Sequence, residues 1–152
     1  MRERRLPGGL IATSVERPTI DVMFLRTEAE PDEMQQSWER LEAVVGTRSR
    51  KFFGAFDPST REYRVCVQAR DGDDPAALGL ESGTLPGGRY LRARLLGEPP
   101  EVYERIGPTF AELVKEAHPD EARPSIEFYR RRDEIDLLLP IAELPYATRL
   151  AH

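Results

Sequence analysis

The chain reads as an α+β protein: two β-α-β-β units forming one antiparallel sheet, two helices packed on it, and a groove between the units. Three observations lead there. The order strand, helix, strand, strand occurs twice along the sequence. Glu30, Pro31 and Glu33 recur as Glu98, Pro99 and Glu101, 68 positions on, and Leu41, Phe56 and Glu62 recur as Leu113, Phe128 and Glu134, 72 positions on. A four-residue insertion near Gly107-Pro108 reconciles the two offsets. Two such units packed as a pseudo-dimer would bury their apolar faces against each other and leave a groove between them.

The elements follow in order. Residues 1–9, ending in Pro7-Gly8-Gly9, read as a frayed lead-in. Ile11 to Val15 and Ile20 to Leu25 are apolar and β-rich, separated by Glu16-Arg17-Pro18, and should be strands. Glu30-Pro31-Asp32-Glu33 opens a helix, with proline in the first turn and acids at the positive end of the dipole. Met34, Trp38, Leu41 and Val45 then mark one apolar helix face, and Gly46 stops it. Phe52 to Phe56 and Tyr63 to Gln68 form a hairpin around Asp57-Pro58-Ser59-Thr60. Asp71-Gly-Asp-Asp-Pro opens a loop running to Pro86-Gly87-Gly88.

In the second unit, Arg89 to Leu96 is a strand, and Glu98-Pro99-Pro100-Glu101 opens a helix with Tyr103, Ile106, Phe110 and Leu113 on its apolar face. Gly107-Pro108 should kink or split that helix. Ser125 to Tyr129 and Glu134 to Leu139 close the unit around Arg130-Arg-Arg-Asp, a solvated turn. The pseudo-repeats thus run from about 11 to 70 and from 85 to 141 within one domain spanning 1–152.

Composition narrows the function. With 152 residues there is room for one domain of ordinary size. Hydrophobic residues at 39% and charged residues at 32%, with 6 Phe, 5 Tyr and 1 Trp, describe a folded chain with a modest core. A net charge of −5 argues against direct nucleic-acid binding. No stretch is long and apolar enough to span a membrane, and none follows the basic start as a signal h-region would. A cytoplasmic protein is the expectation. One cysteine, Cys66, excludes an internal disulfide and any multi-cysteine metal site, while His118 and His152 leave little for zinc or histidine catalysis. No metal and no cofactor are expected. Asp71-Gly-Asp-Asp fails the calcium-loop spacing, with Ser82 where the closing glutamate belongs.

Glu127 is the residue that stands out. It interrupts an apolar, aromatic strand, Ile126-Glu127-Phe128-Tyr129, and alternation puts Glu127 and Tyr129 on one face. An acid in an aromatic groove neutralises a bulky cation, and each ring adds about 0.5–2 kcal/mol of cation–π attraction. The competing reading is a surface carboxylate on the wet face of a strand. At the offset of 72, Ala55 is the counterpart of Glu127, giving the groove one acid rather than a pair. Trp38, Phe56, Tyr90, Phe110 and Tyr129 are the candidate ligand-binding rings, with Trp38 and Phe110 open to core or pocket alike. Gly87-Gly88 before Tyr90 serve a turn, since no phosphate-binding pattern accompanies them. Cys66 alternates out of phase with Tyr63, Val65 and Val67, and reads as a small sheet residue.

Leu85-Pro-Gly-Gly-Arg-Tyr90, Gly97, the following amphipathic helix, Ile126-Glu127-Phe-Tyr129 and Ile135-Asp-Leu-Leu-Leu-Pro140-Ile together resemble the GyrI-like effector-binding domain. That domain is the ligand-binding part of AraC- and MerR-type transcription regulators and also occurs alone. The resemblance runs from about Ile11 to Ile141 and implies a duplicated β-α-β-β fold with a groove between the repeats. It also implies that Glu127, in a Glu-x-Tyr motif, meets a lipophilic cation. The short hairpin after Tyr129, and Phe110 where relatives often carry tryptophan or tyrosine, depart from the pattern and leave the ligand open. No helix-turn-helix region is read in the chain, so a standalone binding module is expected, which sequesters its ligand or relays it to a separate protein partner. Two alternatives are a hydrolase of cyclopropane-bearing alkylating compounds, with Glu127 as general base and Tyr129 or Tyr90 positioning substrate, and a gyrase-inhibitor-like interaction module. The binding module is preferred over the enzyme.

Overall fold

Strand alternation and two amphipathic helices build this molecule. The computed structural model describes residues 3–142. Nine antiparallel strands form one sheet: β1 (Glu3–Arg5), β2 (Ile11–Arg17), β3 (Ile20–Glu28), β4 (Phe52–Phe56), β5 (Glu62–Gln68), β6 (Glu81–Leu85), β7 (Gly88–Leu96), β8 (Ser125–Arg131) and β9 (Glu134–Pro140). The helices are α1 (Pro31–Val45), α2 (Pro75–Leu78), α3 (Glu101–Glu104) and α4 (Ile106–Leu113). In the sheet the strands stand in the order β1-β2-β7-β9-β8-β4-β5-β3-β6. The architecture is therefore α+β, as the sequence implies.

The duplication is visible in that order. β3-α1-β4-β5 and β7-α3/α4-β8-β9 are the two units, and they meet where β4 pairs with β8, Gly54 opposite Glu127. The units are interlocked by an exchange of strands that the sequence does not announce. β2 leads into β3 but pairs with β7, and β6 leads into β7 but pairs with β3. The two crossing linkers touch, with Gly87 N–H donating to Thr19 Oγ1 at 2.8 Å. A Cβ at Gly87 would lie 2.5 Å from the Thr19 backbone nitrogen, so the crossing requires glycine.

Three expectations are corrected. The segment read as loop up to Pro86 contains β6, whose polar sequence Glu-Ser-Gly-Thr-Leu suits a sheet edge. Residues 3–5 pair with β2 instead of fraying, because Leu6 inserts into the core at 3% exposure. The second helix does divide, but at Arg105, which donates a guanidinium hydrogen bond to the Leu96 carbonyl. Gly107-Pro108 falls inside the first turn of α4, where proline costs little.

α1 forms as expected: Glu30 caps Glu33 N–H at 3.3 Å, Pro31 begins the first turn, and Gly46 ends the helix at φ 75°. It packs Met34, Trp38, Leu41 and Val45 on Met23, Leu25, Val65 and Val67. α4 packs Ile106, Phe110 and Leu113 on Leu91, Ala93, Leu95, Leu137 and Leu139. Since α1 lies mainly over β3 and β5, and α4 over β7 and β9, the central strands β4 and β8 become the floor between them. The opposite face of the sheet carries its own apolar cluster, including Phe24, Phe53, Cys66, Tyr90 and Ile126. No helix among the described residues is long and apolar enough to cross a membrane.

Candidate functional site

Glu127 lies on the helix-side face of β8, at the centre of the floor. Its Oε1 accepts hydrogen bonds from Tyr63 Oη at 2.7 Å and Tyr129 Oη at 2.5 Å. Tyr63 belongs to the first unit, so this bond crosses between the repeats. It does so over Gly54: a Cβ there would lie 1.9 Å from Tyr63 Oη and 2.7 Å from Glu127 Oε1. Glycine at that point of β4 is what lets the tyrosine hydroxyl reach the acid.

The electrostatics follow from burial. Desolvation pushes the Glu127 carboxyl above its ordinary value, opposed by the hydrogen bonds from Tyr129 and Tyr63. Desolvation, followed by the adjoining carboxylate, pushes the Tyr63 and Tyr129 phenols well above their ordinary value, so both stay protonated and donate. No arginine or lysine pairs with Glu127 among the described residues; the charge is met by hydroxyls alone. Oε2 accepts no hydrogen bond among the described residues, and Glu127 as a whole is half-buried rather than sealed.

Aromatic rings surround the acid. Trp38 on α1 meets Tyr129 edge-to-face with centroids 5.3 Å apart, and Phe52 at 6.3 Å. Tyr103 on α3 meets the other side of Tyr129 at 6.3 Å. The row Trp38–Tyr129–Tyr103 therefore runs from one helix to the other across the floor. Its outer member, Tyr103, is 40% exposed.

Of the residues singled out from sequence, Glu127, Tyr129 and Trp38 are brought together. Phe110 packs in the core cluster that includes Tyr129, and Phe56 sits on the α1 side of the floor, beyond Gly54. Tyr90 is not brought there. It lies on the opposite face, fully buried beneath Arg123, and its hydroxyl donates to the Pro86 carbonyl at 2.5 Å. Leu91, Ala93 and Leu95 claim the helix side of β7, so alternation turns Tyr90 away. Ala55 is likewise not the counterpart of Glu127. It faces the far cluster, and the residue of matching face and register is Gly54. The offset of 72 misleads by one because six residues separate the paired Phe56 and Tyr63 whereas five separate the paired Tyr129 and Ile135, where β8 carries a bulge.

The site also contains Tyr63, Gly54, Phe52 and Tyr103, which the sequence pattern does not single out. Tyr63 had a readable signal, since a tyrosine at a core position needs a partner for its hydroxyl. Cys66 belongs to the far face at 0% exposure, and burial pushes its thiol up to about 12. It should resist alkylation by iodoacetamide at pH 8 in the native chain and react fully in denaturant, which a mass measurement checks. In the acidic loop, Asp73 pairs with Arg50 at 3.0 Å, and Asp74 caps α2 through Ala77 N–H at 3.4 Å.

No protein-family model matches the chain, and no curated protein matches it in sequence. Solved structures do match. An integron cassette protein of Vibrio cholerae superposes with a TM-score of 0.67 at 17% identity, covering 86% of this chain and 95% of its own. SAV2435, solved bound to tetraphenylphosphonium, gives 0.62 at 13% identity over 93% of this chain and 97% of its own. A hydrolase from Listeria innocua gives 0.57 at 12% identity over 86% and 91%. At these identities the likeness carries the fold alone: a nine-stranded antiparallel sheet with helices on one face, consistent with the GyrI-like fold.

Proposed function

We propose that the chain is a binding module that captures a hydrophobic, cationic small molecule between α1 and α3–α4. The observation that carries this reading is the Glu127 carboxylate, set among rings and without a cationic partner among the described residues. Such a charge is costly in the free protein and is relieved when a ligand cation enters. Trp38, Phe52, Tyr103 and Tyr129 supply ring faces and edges, and Phe56 and Phe110 extend the apolar walls. Entry requires the edge-to-face row to part, and Tyr103 on its four-residue helix is the ring with most room to move. SAV2435, of the same fold, is bound to a lipophilic cation, which supports the same chemistry here.

Trp38 is the only tryptophan and reports on this groove directly. Tetraphenylphosphonium should quench its fluorescence saturably, and triphenylphosphine oxide, a neutral match, should quench at least about tenfold less effectively, as expected where the ligand charge contributes. Equal quenching by both would contradict the role of the charge.

A second reading is favoured by one feature, the unbonded Oε2 of a carboxylate whose proton affinity burial has raised. That oxygen suits a general base: it takes a proton from water as the water oxygen bonds to a ring carbon, the ring C–C bond breaks, and its electron pair passes to the electron-accepting group conjugated to the ring, which then takes up a proton. A hydrolase is among the proteins of the same fold. Excess cyclopropane-bearing substrate separates the readings, because a binder stops at one equivalent and an enzyme continues.

A further inference from the structure

The face of the sheet away from the helices holds a second opening, of opposite charge. Phe53 and Phe128, neighbours on β4 and β8, stack with centroids 4.7 Å apart and planes at 16°. Alternation points them away from Glu127. They adjoin a cleft of about 480 Å³ into which Arg17, Arg50, Lys51 and Arg130 also reach. Among the described residues no Asp or Glu lines it, in a chain whose net charge is −5. The cleft is within the size range of small-molecule sites, roughly 300–1,000 Å³.

The four cations differ. Arg50 is held by Asp73 at 3.0 Å and Arg130 by Glu134 at 2.9 Å. Arg17 and Lys51 have no ion pair among the described residues. Arg50, with a side chain only 2% exposed, also carries a buried Nε–H that finds no acceptor. The guanidinium groups of Arg17 and Arg130 stand 5.8 and 5.7 Å from the Phe128 centroid, so charge and ring are presented together. An apolar floor and two cations without an ion pair call for one kind of occupant.

We propose that this cleft binds an aromatic carboxylate, its ring against Phe128 and Ile20, with Phe53 buried behind them, and its carboxylate between Arg17 and Lys51. The site is separate from the groove around Glu127, although the same strand pair floors both and Tyr129 reaches the rim of each.

The test is calorimetric titration of the whole chain with 2-naphthoate and with neutral 2-naphthamide at low salt. Wild type, Arg17→Gln, Lys51→Gln and Glu127→Gln are compared, with thermal melts confirming that each is folded. The expected result is one equivalent of 2-naphthoate bound, at least about fivefold more weakly in each cleft variant and more weakly as salt rises. Glu127→Gln should bind it as wild type does. Equal binding of the amide, no effect of both cleft substitutions, or no binding at millimolar 2-naphthoate would each overturn the proposal.

Discussion

Replacing Glu127 by glutamine is expected to abolish selective capture of lipophilic cations while raising the stability of the fold. Glutamine keeps an oxygen to accept from Tyr63 and Tyr129, so the shape of the site survives. What is removed is a charge held in a desolvated setting. Its attraction for a contacting cation is worth about 2 kcal/mol or more, roughly thirtyfold in Kd. The stability effect has a sign fixed by linkage. The folded Glu127 carboxyl titrates above its unfolded value, so the folded state holds the proton more tightly. The resulting stabilisation is complete below the ordinary carboxylate range and is lost as pH rises through the folded value. Wild type should therefore lose stability relative to Glu127→Gln over that window. Asp57, Glu62, Asp73 and Asp120, held below their ordinary values, act in the opposite direction in both proteins and cancel from the difference. Denaturant melts of both proteins across pH measure it. A difference independent of pH would contradict the account.

Gly54→Ala is expected to damage both stability and binding, although it adds only one methyl group. The new Cβ would occupy space held by Tyr63 Oη, at 1.9 Å, and press on Glu127 Oε1 at 2.7 Å. Overpacking of this kind costs about 1–3 kcal/mol. Displacing the hydroxyl also forfeits a hydrogen bond to a charged acceptor, worth about 1.5–3 kcal/mol. Tyr63→Phe alone should lose only the second contribution. In the double variant the shorter phenylalanine relieves part of the clash, so the combined destabilisation should fall short of the sum. Strict additivity in equilibrium denaturation would mean that Gly54 does not act through the Tyr63 hydroxyl.

What the sequence disclosed of this site follows from range. Trp38 was placed by helical spacing and the facing of Glu127 and Tyr129 by strand alternation, both local properties of a few residues. Tyr63 lies 64 residues from the carboxylate it serves, and no local pattern encodes that pairing. The exchange of β2 and β6 between units is hidden for the same reason, because the linkers Pro18-Thr19 and Pro86-Gly87 look like ordinary turns. β6 was lost through its polarity. Tyr90 was misplaced despite a usable signal, since Leu91, Ala93 and Leu95 already assign it to the other face. The repeat offset located the second unit but failed at the level of single residues, where loops of different length shift the match from Ala55 to Gly54.

The most direct test of the account is the titration of the Glu127 carboxyl itself, followed by carbon NMR in the free chain and with saturating tetraphenylphosphonium. In the free protein a midpoint above the ordinary glutamate value is expected, driven down when the cation binds. A carboxyl that titrates in the ordinary range and does not respond to the cation would contradict it.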